Sequence, residues 1–149
     1  WFQSCFAGTT AEFDAPPARV FLTGINRWLD LPEYPAGAAR QRQLYLHSDG
    51  DAAEIRGGGG RLAWSAPAPD GPPESYVFDP RDPVPARGAF DRYQPAGEPR
   101  PDVLVYTTPV ATEPLAMLGP VDLVLHASTS ALDTDFVADL YDVDPAGRS

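Results

Sequence analysis

Proline and glycine set the first limit on this chain. Thirteen glycines and eighteen prolines make up about a fifth of its 149 residues, against an average usage of roughly 12%. Proline breaks helix interiors and glycine weakens them, so a helical bundle or coiled coil is excluded. A hydrophobic content of 43%, with 11% aromatic residues, excludes a wholly disordered chain. The length matches one domain able to bury a core. The sequence therefore predicts a turn-rich, mostly β domain.

Short alternating segments carry the β signal. Residues 18–24 read as a strand with Val20 and Leu22 on one face, and residues 43–48 as a second with Leu44 and Leu46 inward. Between them, residues 26–35 hold Trp28, Leu29, Leu31, Tyr34 and two prolines, the composition of an aromatic-rich loop. Asp49-Gly50-Asp51 marks a turn. A four-glycine run at 57–60 reads as a flexible hairpin loop before a short strand at 61–64. Further strands are expected at 75–78, 102–108, 121–127 (Val121, Leu123, Leu125 and Ala127 on one face) and 136–143 (Phe136, Ala138 and Leu140 on one face). Residues 79–101 contain six prolines and no periodicity, a connection long enough to suggest a functional role. About eight short strands separated by turn signals predict a sandwich or jelly roll. The first eight residues, apolar and aromatic and ending at Gly8, suit the last turn of a helix with a glycine C-cap.

Charge and rare residues restrict the partners. Eleven basic residues, all arginine, against 21 acidic ones give a net charge of −10. An acidic surface repels phosphate backbones and anionic bilayers, so neither nucleic acid nor membrane is expected as a partner. Cys5 is the sole cysteine, and His47 and His126 are the only histidines. No disulfide framework and no multi-histidine zinc site can be built from them, and no cofactor or metal is expected. No apolar run approaches membrane-spanning length, and the start lacks a signal-peptide pattern. Together with the single thiol, this points to the cytoplasm. Met117 is the only methionine, so the chain is expected to be part of something longer.

No catalytic constellation emerges from the motifs. A serine nucleophile on a sharp elbow needs Gly-x-Ser-x-Gly, and none of Ser4, Ser48, Ser65, Ser75, Ser128, Ser130 or Ser149 sits in one. His47 and His126 lie in strand-like segments and read as exposed or hydrogen-bonded strand histidines. The glycines at 57–60 lack the Lys-Ser/Thr that would follow in a phosphate loop. Asp133, Asp135, Asp139, Asp142 and Asp144 are acidic enough for calcium but lack the central Gly and terminal Glu of a calcium loop. Trp28, Tyr34, Trp64, Phe90 and Tyr93 could form a sugar-stacking platform, although aromatics in Pro-rich loops more often pin the loop to its neighbours.

Two stretches are more specific than a generic β pattern. One is Tyr76-Val77-Phe78-Asp79-Pro80-Arg81-Asp82-Pro83-Val84-Pro85. The other runs from Arg100-Pro101-Asp102-Val103-Leu104-Val105-Tyr106-Thr107-Thr108 through Leu118-Gly119-Pro120-Val121 and residues 128–136 to Asp142-Val143-Asp144-Pro145-Ala146-Gly147-Arg148. Together they resemble the C-terminal domain of X-Pro dipeptidyl-peptidases and of cocaine-esterase-like acyl hydrolases, a family that includes the α-amino-acid ester hydrolases. Phe21-Leu22-Thr23-Gly24 through Arg27-Trp28 and Tyr34-Pro35 resembles the segment that opens that domain.

The resemblance implies an all-β, galactose-binding-like jelly roll at 16–149, incomplete at its C-terminal end. It implies that residues 1–15 are the tail and linker of a preceding α/β-hydrolase domain, which is the expected partner and carries the Ser-Asp-His triad. No catalytic residue is then expected in this chain. The loop after Asp82-Pro83-Val84-Pro85 is Ala86-Arg87-Gly88-Ala89-Phe90, which the resemblance brings to the acyl pocket, with Phe90 as wall and Arg87 and Gly88 beside it. Ala89 stands where the family usually has a second glycine, and the loop from Phe90 to Arg100 is short. The function implied is a non-catalytic segment of a serine hydrolase of the dipeptidyl-peptidase or acyl-esterase type, supporting the catalytic domain. The alternatives are a carbohydrate-binding β-sandwich and an interaction module, which could form a homo-oligomer through an exposed sheet edge.

Overall fold

The computed structural model describes residues 6–8, 16–37, 40–53, 59–85 and 100–146. The chain separates into two compact units: Trp1–Gln41 with Leu115–Leu125, and Arg42–Pro114 with His126–Ser149. The regular elements among the described residues are strands, arranged in two small antiparallel or mixed sheets, so the all-β reading holds. No helix is long and apolar enough to cross a membrane among the described residues.

In the first unit, β1 (Ala18–Leu22) and β2 (Arg27–Leu31) form an antiparallel hairpin. The register sets Val20 opposite Leu29 and Phe21 opposite Trp28. Ala18, Val20, Leu22, Leu29 and Leu31 are half-buried on one face, as strand alternation requires. On the other face, Arg19 forks onto Asp30 at 2.5 and 3.0 Å. The Phe21 and Trp28 rings meet there at 5.2 Å in a tilted pair. Gly24 (φ 86°) and Asn26 (φ 52°) turn the chain between the strands in the left-handed region. The expected loop at 26–35 is thus a strand in its first half. Pro32 and Pro35 lie beyond Leu31 and end the strand without interrupting it. Before the hairpin, Phe6 and Ala7 carry helical backbone and Gly8 follows at φ 65°, the conformation of a C-cap glycine.

In the second unit, β3 (Tyr45–His47), β4 (Gly60–Ala63) and β5 (Tyr106–Thr107) form a sheet in the order β3-β4-β5. β3 and β4 pair antiparallel, with Leu46 opposite Leu62. β4 and β5 pair parallel, with Gly60 opposite Tyr106. Ala52 is the fully buried apolar residue among those described, and its carbonyl accepts the Val105 N–H at 3.0 Å. Gly60 is buried as well. It is therefore a strand residue, not part of a flexible loop: Tyr106 closes over it, and a Cβ there would lie 2.6 Å from Tyr106 Cδ1.

Other expectations change in this unit and beyond. Leu44, expected inward, is exposed. The strand expected at 102–108 contracts to β5, because residues 100–103 close a turn through Val103 N–H to Arg100 C=O at 3.4 Å. Residues 75–78, 121–127 and 136–143 form no ladder, so five strands replace the expected eight among the described residues. Their alternation persists without a paired neighbour, leaving Val121, Val124, Phe136 and Leu140 exposed.

Candidate functional site

Among the described residues of the second unit, the feet of the long connection are densely hydrogen-bonded. At the first foot, Asp79 and Pro80 occupy the positions that favour a β-turn. The Asp82 N–H donates to the Asp79 carbonyl at 3.0 Å. The Asp79 carboxylate accepts the Arg81 N–H at 2.9 Å and the Arg81 guanidinium at 3.0 and 2.8 Å. That guanidinium holds the Asp79 carboxyl below the usual aspartate range.

At the second foot, Arg100 reaches both sides. Its Nε and Nη2 donate to the two oxygens of Asp102, each at 2.8 Å, the planar fork that guanidinium and carboxylate favour. The same Nη2 donates to the backbone carbonyl of Asp82 at 2.7 Å. Looser contacts at 3.4 Å join Arg100 to the Asp82 carboxylate. The Asp102 side chain is 6% exposed and that of Arg100 22%, whereas that of Asp82 is 76% exposed. The Arg100 guanidinium therefore keeps the Asp102 carboxyl well below its ordinary range, and Asp102 in turn raises Arg100 further. Residues 82 and 100 are tied together at the base of the segment from which the sequence draws its pocket candidates. Arg87, Gly88 and Phe90 themselves lie outside the described residues.

Other polar groups are occupied structurally. His47 Nε2 lies 2.7 Å from the Ser65 carbonyl, and its Nδ1 lies 3.3 Å from Arg61 Nη2. A carbonyl and a guanidinium as partners assign the proton to Nε2, so both ring nitrogens are engaged in holding β3 against β4. The Ser48 hydroxyl faces Glu74 and Asp51, and the Gly50 and Ala52 N–H groups donate to Glu74 at 3.1 and 3.3 Å. Burial, and secondarily the Glu74 charge, push the Tyr106 phenol above its usual range. Among the described residues no serine hydroxyl is bonded to His47 or His126, and no three His, Cys, Asp or Glu side chains gather at a metal-sized site. Of the candidate sugar platform, Trp64 carries the Arg42 guanidinium over its ring at 5.4 Å, and Trp28 is paired with Phe21.

Arg100, Asp82 and Asp102 belong to no catalytic or binding motif in the sequence. All three lie in the two motif stretches, and the alternation Arg100-Pro101-Asp102 was the available signal: an acid and a base two residues apart, held rigid by proline.

The family model for the X-Pro dipeptidyl-peptidase C-terminal non-catalytic domain matches residues 11–149. The chain is 37% identical over 150 aligned residues to a cocaine esterase of Rhodococcus sp. (strain MB1 Bresler), an alignment covering 95% of this chain and 26% of that protein. The chain thus spans about a quarter of the length of that relative. No solved structure matches it.

Proposed function

The chain belongs to the family of X-Pro dipeptidyl-peptidase C-terminal non-catalytic domains, and on that premise we propose that it supports the α/β-hydrolase domain of a serine hydrolase and shapes its acyl pocket. The fold in this reading is a jelly roll of the galactose-binding type spanning residues 16–149, with residues 1–15 belonging to the hydrolase domain before it. The observation that carries the reading is the 37% identity, along 95% of this chain, to a quarter of an esterase.

Chemistry in this reading occurs on a serine outside the 149 residues. That serine attacks the acyl carbonyl, the alcohol or amine leaves, and water releases the acid from the acyl-enzyme. The domain contributes by bounding the acyl group and excluding water. Phe90 forms part of the pocket wall, with Arg87 and Gly88 shaping the loop behind it. Cys5 as the sole thiol is compatible with a reducing cytoplasm.

A substitution in the full-length protein tests the pocket role. Phe90→Ala is expected to lower kcat/KM for a bulky p-nitrophenyl acyl ester relative to the acetate about tenfold, the scale on which apolar pockets discriminate. An equal effect on both esters would contradict the pocket role. Of the aromatics named for the carbohydrate alternative, Trp64 has Arg42 over one face of its ring.

A further inference from the structure

We propose that the turn at residues 48–52 is a pocket for one carboxylate, that Glu74 is its resident ligand, and that this bond clasps a strap, residues 66–78, onto the sheet of the second unit. Burial points to Glu74 first. From Trp64 to Phe78 every residue is exposed except Glu74, which is half-buried. A segment laid on a sheet ordinarily turns its apolar side chains inward. Here Tyr76, Val77 and Phe78 stay out and a carboxylate goes in. A carboxylate withdrawn from water needs hydrogen-bond donors, and the turn directs its donors at one oxygen. Glu74 Oε1 accepts the Gly50 N–H at 3.1 Å, the Ala52 N–H at 3.3 Å and the Ser48 hydroxyl. Convergent backbone N–H groups of this kind form an anion-binding concavity.

The turn has ties of its own, so its shape does not rest on Glu74. Ser48 Oγ accepts the Gly50 and Asp51 N–H groups, each at 3.2 Å. The Asp51 carbonyl accepts the Gly59 N–H at 3.1 Å, next to β4, and the Ala52 carbonyl accepts the Val105 N–H at 3.0 Å, next to β5. The strap has no such ties. Its backbone bond, Gly71 N–H to Ala68 C=O at 3.3 Å, stays within it. Among the described residues, the hydrogen bonds that join 66–78 to the rest of the unit are those of Glu74. The cost of releasing them falls on the turn as well, because Ala52 is fully buried and its N–H would lose its acceptor.

The test uses full-length protein carrying Glu74→Ala, Glu74→Gln or Asp70→Ala, each held an equal interval below its own Tm. Two readouts are taken: amide exchange in peptides spanning residues 49–53, and chymotryptic cleavage after Tyr76 and Phe78. Glu74→Ala is expected to raise both rates about tenfold, the scale of one hydrogen bond to a charged acceptor. Added formate, compared with equal sodium chloride, is expected to refill the turn and slow the exchange again. It leaves the cleavage fast, because a free carboxylate is not joined to the strap. Glu74→Gln keeps an acceptor oxygen but loses the charge, so it gives a smaller rise in both rates. It takes the place of Glu74→Ala if that variant does not fold. Asp70→Ala, at an exposed position of the same strap, keeps wild-type rates. Wild-type cleavage in Glu74→Ala, or an equal rise in Asp70→Ala, would overturn the clasp. Exchange in Glu74→Ala that formate does not slow would overturn the anion pocket.

Discussion

At the scale of single residues, side chains in this protein are assigned by what saturates them. His47 illustrates this. A histidine in an alternating segment reads as structural from sequence, and the structure gives both ring nitrogens partners that leave none for catalysis. Arg100 and Asp102 illustrate the opposite. Nothing in composition or periodicity distinguishes them from other charged residues, because Arg100, while holding Asp102, also reaches residue 82, eighteen positions away. The pairing has a pH signature. Asp102 titrates below the unfolded value of about 3.9. Its contribution is therefore fully present above that pH and is lost as pH falls through the lower, folded value. Thermal denaturation should show a Tm insensitive to Asp102 between about pH 5 and 7 and falling in acid. Asp102→Asn should flatten part of that acid slope while lowering the neutral plateau. An unchanged acid slope in the variant would show that other carboxylates govern it.

At the scale of elements, alternation encodes which face a strand buries but not which strand lies beside it. β1, β3 and β4 were legible because each has its apolar alternation and its paired neighbour in the same unit. β2 was hidden by the prolines that follow it. The segments 121–127 and 136–143 alternate as well as β1 does, yet they form no ladder. Pattern is local and pairing is not, so alternation in these segments does not make them strands. Gly60 shows a further limit. A glycine run looks flexible, but the last glycine is needed where β4 passes beneath Tyr106 and the Val105 carbonyl at the parallel joint with β5. Both obstacles include backbone or a ring anchored beside it, so the joint cannot simply yield. Gly60→Ala should destabilise by about 1–3 kcal/mol, the usual result of overfilling a tight site, lowering Tm by several degrees. A Tm equal to wild type would mean that β4 and β5 can separate without loss.

At the scale of the whole molecule, the motif stretches carried more than periodicity did. Asp79-Pro80-Arg81-Asp82-Pro83 and Arg100-Pro101-Asp102 were legible as family marks before their physical role was visible, and that role is to bond the feet of one connection. The family and the all-β class follow from the sequence. The acyl specificity does not, since the nucleophile of the proposed reading lies outside these 149 residues. A net charge of −10 with no lysine leaves partner choice to shape and arginine bonding, not to attraction for polyanions. The central claim, that this domain serves a serine hydrolase without supplying its nucleophile, has one direct test. Full-length protein is treated with a fluorophosphonate probe that forms a covalent adduct with an activated serine, and the labelled peptide is identified by mass spectrometry. The account predicts a single adduct on a serine outside these 149 residues, with loss of ester hydrolysis in proportion to labelling. An adduct on any serine of these 149 residues (Ser4, Ser48, Ser65, Ser75, Ser128, Ser130 or Ser149) that tracks the loss of activity would contradict it.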